Sequence, residues 1–208
     1  KAGLLVLQDY WQGITHQDEL LANLPQIIRL AEKQGVLHRG GISMSGDGHI
    51  IPNHDFVLEV GYGGMRDIAK QHLAEDKDLT EEQTDFYQAV IITMDAALNY
   101  CKRFSLLAKE EAAKTADAKR RDELLAMSEM FAHLMEGKAQ NFYEAVETVY
   151  LTHLLMMIES NGHSFSFGRF DQYVWPFYEA DINSGKISKE KALEILTHFF
   201  IMTNSLNK

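Results

Sequence analysis

The sequence predicts a mainly α-helical unit. Apolar residues recur at three- and four-residue intervals over long stretches, and several stretches open on a Thr or Asn followed three residues later by an acid or a Gln. Strand candidates are confined to short pieces near Gly41–Met44 and Phe165–Phe167.

Thr15 with Asp18 resembles a capping box, in which hydroxyl and acid each satisfy an exposed backbone N–H, and it predicts a helix through "ELLANLPQIIRLAEKQG". Pro25 disturbs that helix and Gly35 ends it. Asn53 is a candidate cap for "FVLEVGYGGMRDIAKQHLA", where Gly61, Gly63 and Gly64 each weaken a helix by about 1 kcal/mol against Ala and mark close packing. Thr80 with Gln83 opens a long helix from Glu81 to about Lys114, with Phe86, Val90, Met94, Leu98 and Cys101 at helical intervals. The charged run "KTADAKRRDE" leads into a helix near Leu124–Met135, and Asn141 with Glu144 starts "FYEAVETVYLTHLLMMIES". The latter is apolar almost all round and is therefore expected to be buried. After the loop "NGHSFSFGRFD" come a helix near Tyr173–Ile182 that contains Pro176, a turn at "NSGK", and a last helix capped by Ser188.

Composition excludes several classes of function. With 208 residues, 46% apolar, the chain can build a sizeable core or contribute to one. A net charge of -10, with lysines and arginines scattered among acids, argues against nucleic acid as a partner. No apolar run reaches the roughly 20 residues of a membrane span. A single cysteine, Cys101, cannot form an intramolecular disulfide, and a cytoplasmic location is expected. The chain lacks an initiator Met and closes on "MTNSLNK", so a segment of a longer polypeptide is expected.

Two loops concentrate the candidates for chemistry: "GGISMSGDGHIIPNH" (40–54) and "NGHSFSFGRFD". Both set His and Ser beside glycines. Glycine lets a backbone approach a ligand, and His can hydrogen-bond a hydroxyl or exchange a proton near neutral pH. A His in such a turn is also commonly a satisfied structural group, and a turn Ser commonly bonds its own backbone. Standard templates do not fit. "GDGHII" meets only the first two glycines of a dinucleotide fingerprint, and no P-loop lysine or nucleophile elbow occurs. His49 and His54 are five apart across Pro52, unlike a helical zinc pair, so no protein-bound metal is expected. Cys101 reads as a small buried hydrophobe on the long helix. Arg169 and Asp171 read as loop scaffolding.

Taken together, "ESNGHSFSFGRFDQYVWPFYEADINSGKISKEKALEIL", "SGDGHIIPNHDFVLEVGYGGM", "RRDELLAMSEMFAHL" and "DYWQGIT" resemble the glycyl radical enzymes, the superfamily of pyruvate formate-lyase and the B12-independent diol dehydratases. The resemblance covers essentially the whole chain. It implies the helical part of a ten-stranded α/β barrel, with residues 1–208 a partial pyruvate formate-lyase-type domain. The family's Gly-Cys-x-Glu and Arg-Val-(Ser/Ala)-Gly-Tyr motifs are absent, and Cys101 matches neither, so this chain alone is expected to be inactive.

The resemblance also implies a chemistry. His49 stands where pyruvate formate-lyase carries a carboxylate-binding Arg, and His163 and Ser164 where glycerol dehydratases place a His–Ser pair, which favours a neutral polyol such as glycerol or propane-1,2-diol. The implied reaction removes a hydrogen from one hydroxyl-bearing carbon by way of a cysteine thiyl radical, and the adjacent hydroxyl leaves as water. His49 or His163 would supply the proton, and Ser164 would orient the substrate. A radical S-adenosylmethionine activating enzyme, a glycyl radical, oxygen sensitivity and a homodimer are implied for the full-length protein, with no cofactor bound by this chain. Alternatives are a glycyl radical enzyme acting as a formate acetyltransferase, choline lyase, hydroxyproline dehydratase, sulfonate lyase or arylacetate decarboxylase. A non-catalytic helical interaction protein derived from the fold is a further alternative.

Overall fold

The structure, a computed structural model, describes residues 10, 12–14, 16–37, 49–160 and 164–206. These residues form helices α1 (His16–Asn23), α2 (Gln26–Lys33), α3 (His54–Glu75), α4 (Glu81–Lys114), α5 (Ala118–Glu136), α6 (Phe142–Ser160), α7 (Phe170–Asn183) and α8 (Lys189–Asn204). No strand occurs among the described residues: 165–167 has no regular secondary structure, and Gly41–Met44 lies outside them. The chain divides into two compact units. One holds the residues up to Ile50 with Met156–Ser166, and the other holds Ile51–Leu155 with Phe167 onward.

In the smaller unit, the stretch expected to be one disturbed helix is two. Pro25 takes an extended conformation (φ -55°, ψ 143°) just before α2, since its ring disfavours a helical residue ahead of it. The Arg29 guanidinium donates back to the carbonyls of Leu21, Ala22 and Leu24 and so braces the break. Gly35, at φ 74°, closes α2: its N–H reaches Glu32 O and the Val36 N–H reaches Ala31 O, a Schellman end. The expected Thr15 cap lies outside the described residues.

The larger unit is built on locally encoded caps. The Asn53 side chain accepts from Phe56 N (3.2 Å), Thr80 and Gln83 form the full capping box, and Ser188 Oγ accepts from Lys191 N (3.2 Å). Asp117 caps α5 through Lys119 N and Arg120 N, so this helix starts six residues before the expected Leu124 and the charged run forms its exposed first turns. Asn141 Oδ1 accepts from Glu144 N (2.9 Å) as expected, but Glu144 accepts from Gln140 N (2.8 Å) and meets His133 Nδ1 (3.0 Å).

Packing follows from these faces. Helix α4 runs beside both α3 and α5. At the α4–α5 contact Ser105 and Ser128 each donate to the other's backbone carbonyl (2.8 Å both ways), possible only where small residues let the backbones approach. The α4 stripe is buried only from its middle: Leu98 and Cys101 are in the core, Met94 borders it, and Phe86 is 63% exposed. Gly61 has φ 68° inside α3, where a Cβ would lie 2.7 Å from the carbonyl oxygen of Gly137. That is the close packing expected of this glycine; a Cβ on Gly63 would meet nothing within 4 Å among the described residues. Helix α6 buries Phe142, Ala145, Val146, Val149 and Leu151 in the core, with Thr148, Thr152 and His153 as buried polar groups. Among the described residues no helix is long and apolar enough to cross a membrane.

Candidate functional site

The two loops singled out by their composition meet in the smaller unit. The Ser166 N–H donates to the carbonyl of Ile50 at 3.1 Å. This bond sets the residue after His49 against the segment that carries Ser164. His49 (φ 54°) and Ser164 (φ 55°) are both left-handed and both exposed. Non-glycine residues seldom adopt that conformation, and where they do the backbone is held by its surroundings. His163 and residues 40–48 lie outside the described residues, so of the predicted site residues two, His49 and Ser164, have a described position.

In the larger unit each loop is followed by an anchor. Ile51 succeeds Ile50, and a Cβ on Gly168 (φ 64°) would lie 2.8 Å from Ile51 Cγ2, so the two segments touch with room for glycine only. Phe167 succeeds Ser166 and enters an aromatic cluster. Its ring centroid is 4.5 Å from that of His153, 4.9 Å from that of Phe199 and 6.3 Å from that of His54. The Tyr173 hydroxyl donates to Phe167 O at 2.7 Å, and the Tyr173 ring lies 5.1 Å from His54. Arg169 and Asp171 pair at 3.4 Å on the exposed surface, a contact worth little.

His54 and His153 are the groups that sequence reasoning missed as a pair. His54 is 2% exposed, and neither ring nitrogen has a hydrogen-bond partner among the described residues. Burial, with His153 adding to it and Asp55 partly opposing, holds its pKa down to about 4. Burial also lowers His153. Both rings are therefore neutral at physiological pH. A signal was present: His153 is the one imidazole within the apolar run of α6, and His54 follows directly on a helix cap. Cys101 is 1% exposed and burial pushes its thiol up to about 11, as expected of a core cysteine rather than a reactive one.

Residues 4–208 match the pyruvate formate lyase-like family model, and the chain belongs to that family, whose relatives are the glycyl radical enzymes. The helices described above are the helical part of the glycyl radical enzyme barrel. Among curated relatives, the chain is 35% identical over 205 residues to a probable dehydratase, YbiW, of Escherichia coli (96% of this chain, 25% of the relative). It is 34% identical over 199 residues to the isethionate sulfite-lyase of Oleidesulfovibrio alaskensis (90% and 24%). Among solved structures, the glycerol-bound B12-independent glycerol dehydratase from Clostridium butyricum superposes with a TM-score of 0.87 at 34% identity, covering 99% of this chain and 26% of that one. The chain thus spans about a quarter of the length of the relatives it matches.

Proposed function

We propose that this chain is the helical, substrate-facing part of a radical C–O lyase that dehydrates a small vicinal polyol, such as propane-1,2-diol or glycerol, to an aldehyde and water. The observation that carries the reading is the Ser166–Ile50 backbone bond, which joins the His49 loop to the Ser164 loop, both with left-handed residues. A glycyl radical elsewhere in the full polypeptide, installed by a radical S-adenosylmethionine activating enzyme, would supply the radical chemistry that removes a hydrogen from the substrate carbon by way of a cysteine thiyl. This chain's residues have the complementary task. A hydroxyl is a poor leaving group, and an imidazole of His49 or His163 donates a proton as it departs, general acid catalysis typically worth 10²–10⁴-fold. The Ser164 hydroxyl donates to or accepts from a second substrate hydroxyl and fixes its orientation. Similarity to dehydratases and the absence of a carboxylate-binding Arg at position 49 support a neutral substrate. The protein acts in this reading as a homodimer.

The test is anaerobic activation of the full polypeptide containing these residues, followed by separate incubation with propane-1,2-diol, glycerol and isethionate. Aldehyde from either polyol is expected. Sulfite and acetaldehyde from isethionate, with no aldehyde from either polyol, would replace the reading with C–S cleavage, the activity named for one of the relatives.

A further inference from the structure

The His54 imidazole is buried among rings, and both of its nitrogens lack a partner among the described residues. An unmet buried polar group is costly, and a Phe would fill a similar volume without that cost. The ring's surroundings indicate its task. It lies against Tyr173, whose hydroxyl grips the carbonyl of Phe167, and near Phe167 itself, whose ring also meets His153 and Phe199. Phe167 directly follows Ser166, which is bonded to Ile50, and is three residues from Ser164. Gly168 and Ile51, two residues past Ser166 and one past Ile50, are in contact in turn.

We propose that His54 is a positioning residue: its ring, packed beside Tyr173 and Phe167, holds Phe167 and Gly168, the residues that continue the chain from Ser166, in place as long as it carries no proton. The importance of that segment to turnover rests on the reading of Ser164 as a substrate contact; the positioning itself does not. Among the described residues, the ionisable groups that face His54 are His153 from α6, Tyr173 from α7 and Asp55 from its own helix. None can neutralise an imidazolium fully. His153 is itself a base disfavoured as a cation, Tyr173 is held protonated by burial, and Asp55 is exposed to water. A proton on His54 therefore places an uncompensated charge beside the rings that grip Phe167, and the segment is released.

The experiment is amide hydrogen exchange on the full polypeptide at about pH 7.5 and pH 5, as protection factors corrected for intrinsic rates. Wild type is compared with His54→Phe, which keeps an aromatic ring but cannot be protonated, and His54→Ala, which removes the ring. Amides of α4 near Ser105 serve as the control for global loosening. Wild type should lose protection at Ser166 by roughly tenfold or more on acidification, because an opened segment lets His54 take a proton at its ordinary value while the packed ring resists. His54→Phe should lose less than about threefold, and His54→Ala should be open at Ser166 already at the higher pH, with the α4 amides unchanged in both. Equal acid loss at Ser166 in wild type and His54→Phe, or a matching loss in α4, would overturn the proposal. Should His54→Ala fail to fold, the comparison of wild type with His54→Phe still decides. Diol turnover in the same preparations separates the two readings. Its absence alongside the expected exchange pattern removes the polyol reading and leaves the role of His54 standing.

Discussion

The Tyr62 hydroxyl lies 2.9 Å from Thr152 Oγ1, joining α3 to α6 across 90 residues of sequence. Thr152 Oγ1 already donates to Thr148 O at 2.8 Å, so its lone pair accepts and the phenol donates. Burial raises the pKa of that phenol, which therefore stays protonated and able to donate throughout the physiological range. Tyr62→Phe removes one buried hydrogen bond but leaves Thr152 its carbonyl partner. The expected loss is about 1 kcal/mol in urea denaturation, with little change in the m-value. A loss above about 3 kcal/mol would mean that the phenol does more than tie two helices.

Gly61→Ala should be far more damaging than its size suggests. The substitution puts a methyl group 2.7 Å from the Gly137 carbonyl oxygen and forces an L-residue to φ 68°. Backbone, not a flexible side chain, is the obstacle, so a destabilisation of roughly 2–4 kcal/mol is expected. Gly63→Ala, with nothing within 4 Å, is the control and should be neutral or slightly stabilising.

Asp181 is 3% exposed, and its carboxylate accepts from the Phe142 N–H at 2.8 Å, with Lys186 Nζ 3.8 Å away. It thus supplies an acceptor to a free donor at the start of α6 from a helix 39 residues on. Asp181→Ala leaves a buried N–H unmet and should cost about 2–3 kcal/mol by thermal or chemical unfolding; Asp181→Asn, which keeps an acceptor, should cost less.

Glu147 gives the fold a pH dependence. Burial pushes its carboxyl up to about 7. The folded state therefore holds this proton more tightly than the unfolded chain does, and the stability it contributes is lost as pH rises from the ordinary carboxyl range through 7. Glu147→Gln should remove that slope and leave the protein more stable than wild type at pH 8, by on the order of 2 kcal/mol. Unfolding free energies at about pH 5 and pH 8 for both proteins check the sign.

For the proposed activity, His49→Gln and His163→Gln in the activated full polypeptide should show which of the two histidines is the proposed proton donor. The donor's loss should lower kcat by 10²–10⁴-fold with an intact glycyl radical signal. On the proposed reading, in which Ser164 orients the substrate, Ser164→Ala should raise KM for the polyol more than it lowers kcat. Unchanged turnover in either histidine variant would remove that residue from the assignment.

Much of the architecture was legible in the sequence because helices are specified over one turn. The Thr80–Gln83 box, the caps at Asn53 and Ser188 and the left-handed Gly35 involve residues no more than four or five positions apart, so the residue types alone nearly suffice. The errors were of the same local kind: Asp117 outcompeted the expected start near Leu124, and Pro25 separated what looked like one helix. Of the site, the sequence marked the two polar loops, and residue types and glycines sufficed for that.

What the sequence alone determined is therefore the set of helices, their caps and the candidate loops, all encoded within a few residues of backbone. Only the tertiary structure decided which of these groups meet: Ser166 with Ile50, Gly61 with Gly137, Asp181 with the start of α6, and His54 with Tyr173 and Phe167. Such pairs depend on which helix faces are driven together by burial of apolar surface, a sum over the whole core that no single window of sequence contains.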